Sequence, residues 1–181
     1  MEFRNAIFAG GGSRCFWQLG FWEGAKQTGL DLQSSVEFVG STSAGCAMAT
    51  AAVLDRAEDA LSIFQSFTER NPKNIHWWNL LPLRPGRLFP HAEMYRTALH
   101  EFIEHDDLAT LKSSSVHFLM SDYPNWLRGA LGAITALSIY ALEKTFRNDP
   151  LHPEWPAKFG FTPLVGRAED CRSLQDYIDM V

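Results

Sequence analysis

At 181 residues, with 46% apolar and 20% charged positions, the chain fits one globular domain, able to bury roughly 70% of its unfolded surface without a disulfide or metal staple. A formal charge of −5 with no Lys/Arg cluster argues against nucleic acid as a partner, because phosphate binding needs concentrated positive charge, and no basic membrane-binding face is visible either. Cys15, Cys46 and Cys171 form an odd set with no Cys-x-x-Cys, which implies a reducing compartment. The apolar stretch within Met1–Phe8 is too short for a secretory signal.

Asn5 to Ala9 reads as a first buried strand, followed by the glycine turn Gly10-Gly11-Gly12. Phe16 to Thr28 sets Trp17, Phe21, Ala25 and Thr28 at helical spacing. Gly20 and Gly24 beside them are expected to allow close approach to the sheet, and Gly29 to stop the helix. Val36 to Gly40 is a second strand, and Ala44 to Leu54 an Ala-rich, slim second helix. Asp55 to Arg70 gives a further helix with Leu61, Phe64 and Phe67 on one face.

The stretch 71–90 changes character. Pro72, Pro82, Pro85 and Pro90 interleave with Trp77, Trp78, Leu80, Leu81, Leu83, Leu88 and Phe89, a proline density through which no helix runs. It reads as an ordered loop whose aromatics either pack on the core or face lipid. Glu93 to Glu104 resumes helix, and Ser115 to Met120 is a third strand. Gly129 to Thr145 is helical, and its apolar part, Ala130 to Leu142, falls short of the roughly 20 residues that span a bilayer. Prolines break Asn148 to Pro163, and Leu174 to Met180 is a last short helix. The alternation of strand and helix predicts an α/β fold: a three-layer α/β/α sandwich with a mainly parallel sheet.

Ser43 stands where a strand ends and a helix begins. That context is what a nucleophile elbow requires, since small neighbours permit the strained turn that lifts the hydroxyl out of the sheet. Of the pattern Gly-x-Ser-x-Gly the chain keeps Gly45, while Ser41 fills the first glycine position and Gly40 stands one place earlier. An ordinary turn into a serine-capped helix fits the same residues. The Gly10–Gly12 run could supply N–H donors to an oxyanion, begin a dinucleotide fingerprint, or simply turn the chain. Cys15 occupies the fingerprint's third glycine position, and Asp31 matches its acidic residue only loosely. Arg14 is either a solvated charge or an anion-facing side chain. His117 lies within the third strand and reads as a satisfied core histidine; His100 and His105 lack metal-pair spacing, and no metal site is expected.

Together, Gly10-Gly11-Gly12-Ser13-Arg14 and Ser41-Thr42-Ser43-Ala44-Gly45 resemble the paired motifs of the patatin-like phospholipases, a Gly-Gly-Gly-x-Arg/Lys-Gly turn and a Gly-x-Ser-x-Gly elbow. The match runs from about Asn5 to Leu54, with vaguer similarity to the end. The resemblance implies Ser43 as nucleophile and Gly10, Gly11 and Gly12 as the oxyanion hole, with Arg14, Ala44 and Gly45 in support. Cys15 and Ser41 both replace family glycines.

It further implies a cofactor-free lipid acyl hydrolase with a Ser-Asp dyad, acting on a lipid or ester substrate. Such a protein is expected to be cytoplasmic, with peripheral contact at membranes. The family's dyad Asp lies in an Asp-Gly motif, and none of the ten aspartates here precedes glycine. The chain is therefore expected to be the N-terminal portion of a patatin-like domain over residues 1–181, ending before its second catalytic residue and having little or no hydrolase activity. A non-catalytic lipid- or acyl-binding module is the alternative.

Overall fold

A computed structural model describes residues 3–70, 91–127, 129–148 and 154–181. The Trp77–Phe89 loop expectation lies outside them. Four strands, β1 (Asn5–Phe8), β2 (Phe38–Thr42), β3 (Val116–Asp122) and β4 (Thr162–Arg167), form one sheet in the order β1-β2-β3-β4. It is mostly parallel and flanked by helices, as the α/β expectation requires. β1 and β2 pair in parallel with Asn5 opposite Phe38 and Phe8 opposite Ser41. That register brings the ends of both strands, and hence both turns, to the same edge.

By contact the chain divides into two compact units, residues 1–118 with 166–181, and residues 119–165. In the first, helix α1 (Phe16–Gln27) follows a 3-10 turn, and α2 (Leu32–Ser35) leads to β2. Helix α3 (Gly45–Val53) is buried at all nine positions. Its Ala-rich surface lets neighbours approach on every side, which is why it serves as the axis of the core. Helices α4 (Ala57–Arg70), α5 (His91–Phe102), α6 (Asp107–Ser113) and α9 (Leu174–Met180) complete the unit.

Phe64 of α4 is the aromatic hub, with ring centroids 5.5 Å from Phe16, 5.0 Å from Tyr95 and 6.4 Å from Phe102. Arg56 ties the start of α4 to Asp107 at 2.8 Å. Thr50 of α3 lies 2.8 Å from the buried Tyr177 hydroxyl of α9, and the Tyr177 ring meets Phe118 edge-on at 5.3 Å. Ser173 and Asp176 form a reciprocal capping box that starts α9. The backbone N–H of Arg172 is the main cause holding the Asp176 carboxyl below its ordinary range.

The second unit holds α7 (Gly129–Phe146) and α8 (Trp155–Lys158). Glu143 is buried on α7 and accepts the backbone N–H groups of Glu154 and Trp155 and the Arg147 guanidinium, each at 2.8 Å. Burial alone would raise this carboxyl, but those donors outweigh it and hold the group below its usual range. Ile139 is buried on the same helix, whereas Leu131, Leu137 and Phe146 are exposed. Among the described residues no helix is long and apolar enough to cross a membrane.

Two expectations for α1 fail. Its buried face is Gln18, Leu19, Trp22 and Ala25, while Trp17 and Phe21 are exposed. The helix carries apolar residues around most of its circumference, so periodicity alone does not decide which stripe packs. Gly20 and Gly24 make no close approach, since a Cβ at either would meet nothing within 4 Å. Helix α6, α8 and strand β4 were not expected. β4 contains Pro163 and stands at the edge of the sheet, where proline's missing N–H need not cost a ladder bond.

Candidate functional site

Strand β2 runs through Ser41 and Thr42 and ends directly before Ser43, two residues further than the apolar pattern suggests. Ser43 is exposed and has φ +53°. A side chain with a Cβ resists this left-handed conformation by about 1 kcal/mol, so the surroundings must hold it there. The serine does not cap α3: the helix starts from Ala44 with no side-chain cap, and the Cys46 N–H bonds the Ser43 carbonyl at 2.9 Å. The serine-cap reading is thus overturned, and the hydroxyl is left at the head of a helix rather than spent on its backbone.

The two turns press on one another. A Cβ at Gly10 would fall 3.0 Å from the Ser43 Cβ and 3.2 Å from the Thr42 carbonyl oxygen. A Cβ at Gly45 would fall 2.5 Å from the Phe8 carbonyl oxygen and 2.6 Å from that of Ala9. Glycine at both positions is therefore a matter of room. Ser41, standing where the family pattern has glycine, is buried and donates its hydroxyl to the His117 carbonyl at 3.0 Å. Its polar atom is satisfied within the sheet. His117 itself is half-buried rather than core, its ring tilted against Phe38 at 4.8 Å and its Nδ1 satisfied 2.8 Å from the Ser115 carbonyl.

Gln18 fixes the first turn. Its buried amide accepts the Ala9 N–H at 2.8 Å and donates to the Ala9 carbonyl at 2.9 Å. Sequence reasoning missed this residue, whose only signal is an amide on a helix among apolar neighbours. Cys15 donates its thiol to the same carbonyl at 3.1 Å, so the side chain that replaces a family glycine is built into the turn. Burial raises the Cys15 thiol pKa, with Arg14 pulling the other way. Burial likewise pushes Cys46, directly behind the elbow, up to about 11. Burial thus disfavours the reactive thiolate at both positions. All three cysteines are free and buried.

Gly11, Gly12, Ser13, Arg14, Ser43 and Ala44 line a common cleft of about 850 Å3. Gly10 and Gly45 stand behind it as packing positions. Further walls come from α5 (Met94, Tyr95, Arg96 and Leu99) and α9 (Ile178, Asp179 and Met180). Arg96 and Asp179 join those walls with an ion pair of 2.8 Å. Burial raises the Tyr95 hydroxyl to about 12, so it stays protonated. No local pattern signals these wall residues, since they lie 50 and more positions from the elbow.

A family model described as Patatin-like phospholipase matches residues 6–171 of the chain. No curated protein and no solved structure matches it.

Proposed function

The chain belongs to the patatin-like phospholipase family, and on that premise we propose that Ser43 is the nucleophile of a lipid acyl hydrolase. The observation that carries this reading is the left-handed backbone of Ser43, φ +53°, at a strand–helix junction in the same cleft as Gly11 and Gly12. The Ser43 hydroxyl attacks the carbonyl carbon of an ester, and its oxygen becomes an oxyanion. N–H groups of the Gly10–Gly12 turn and of the start of α3 receive that charge, with the helix dipole pointing the favourable way. The C–O bond to the alcohol breaks, and water then releases the acyl group from Ser43. Arg14 supports the turn through its backbone, whose N–H bonds the Gly11 carbonyl at 3.3 Å.

A serine needs a base to lose its proton, and the chain has no Asp-Gly pair to supply the family's dyad carboxylate. Asp179 is the one carboxylate side chain among the described cleft residues, and Arg96 holds it. Without a free carboxylate at Ser43 among the described residues, residues 1–181 are read as a patatin-like chain with little or no hydrolase activity. The same observation favours a second reading, a lipid- or acyl-binding module that keeps the cleft without turnover.

A fluorophosphonate probe followed by peptide mass analysis separates the two. Slow labelling confined to Ser43 and lost in Ser43→Ala supports the hydrolase reading. Equal labelling of Ser43→Ala sinks the nucleophile assignment, and no labelling of a chain that still binds lipid leaves the binding module. Ester turnover well above the Ser43→Ala control would overturn the expectation of little or no hydrolase activity.

A further inference from the structure

The cleft is chemically two-sided. Met94, Leu99 and Ile178 give it a buried apolar wall, suited to an acyl chain. Against this, two guanidinium groups, Arg14 and Arg96, line it in a protein whose net charge is −5. Arg14 belongs to the glycine turn. Arg96 does not: it stands on α5, and its side chain is 56% exposed.

Arg96 is also held in place. Its Nη2 donates to Asp179 Oδ1 at 2.8 Å, and the same oxygen accepts the Gln175 side-chain amide at 2.9 Å. One amino group of the guanidinium is thereby held to α9. A guanidinium carries five N–H donors in a planar fork, so an arginine held at one nitrogen still offers donors to an anion, at lower entropic cost than a freely moving chain. A phosphate oxygen pair is the partner that such a fork fits best.

We propose that Arg96 makes the Ser43 cleft selective for anionic lipids: acyl esters whose phosphate headgroup carries no compensating cation. The inference rests on the reading of this cleft as the acyl site and adds a headgroup preference. A zwitterionic headgroup brings its own ammonium to the phosphate and gains less from Arg96. An anionic headgroup gains a charge-assisted contact, reduced by the Asp179 carboxylate beside it. Asp179 acts as a positioning residue, fixing the direction of the guanidinium without touching the lipid.

The test is equilibrium binding to the Ser43→Ala chain at low salt, read by titration calorimetry, so that no turnover interferes. The probes are short-chain diacyl phosphatidylglycerol and phosphatidylcholine below their micelle concentrations, and inorganic phosphate. Expected is about tenfold tighter binding of the glycerol headgroup, a preference that shrinks as salt rises. Arg96→Gln should remove the preference by weakening phosphatidylglycerol binding far more than phosphatidylcholine binding, and Arg96→Lys should keep part of it. Circular dichroism verifies that each variant is folded.

Equal binding of the two lipids, or a preference that survives Arg96→Gln, overturns the role of Arg96 while the acyl-site reading stands. Binding of neither lipid overturns both. Inorganic phosphate that binds through Arg96 without competing with the glycerol lipid would make free phosphate the ligand and overturn the lipid headgroup.

Discussion

The two turns that meet at the edge of the sheet use glycine for different reasons. After β1, Gly12 has φ +59° and a Cβ there would meet nothing within 4 Å; glycine supplies a backbone conformation. After β2, Gly45 lies inside a helix, and a Cβ there would collide with two carbonyl oxygens; glycine supplies space. The left-handed position of this second turn is given instead to Ser43. One turn relaxes its backbone, and the other holds it strained at the residue with a reactive hydroxyl.

Substitutions at the three positions sharpen the contrast. Gly45→Ala is expected to have the largest effect, destabilising the fold by about 3 kcal/mol or preventing it, because the obstructing atoms are backbone and cannot swing aside. Gly12→Ala has room and should cost only about 1 kcal/mol, the ordinary penalty of a left-handed alanine. Urea denaturation midpoints compare the two. A Gly12→Ala loss equal to or larger than that of Gly45→Ala would break the distinction between space and conformation. Ser43→Gly should have the smallest effect and the opposite sign, stabilising by about 0.5 kcal/mol as backbone strain is released against a higher unfolded-state entropy. The matching Ser43→Ala control keeps the strain and should leave the midpoint unchanged. Stabilisation by both would locate the gain in the hydroxyl rather than in φ.

Much of this frame was legible from residue order. Glycine after an apolar run, and a serine among small residues after another, carry their local geometry in their composition. The boundaries of the final helix, Leu174–Met180, were read as they stand. The face of α1 was not, because Trp17 and Phe21 on one stripe compete with Leu19 and Trp22 on another, and only the neighbouring elements choose between them. Strand β4 was hidden by Pro163, which reads as a breaker unless the strand is known to be an edge. Helix α6 spans seven residues, too few for a periodic signal to emerge.

Residue order by itself determined the α/β alternation, the two turns and the family to which the chain belongs, since these follow from local backbone preference and short-range spacing. Tertiary structure decided what those turns face. It seated Gly10 against Ser43, tied Ala9 down through Gln18, and brought α5 and α9 across the cleft to pair Arg96 with Asp179. The Gly10–Ser43 and Arg96–Asp179 contacts join residues far apart in the chain, beyond the reach of local backbone preference, in a unit whose helix α3 is buried at all nine positions.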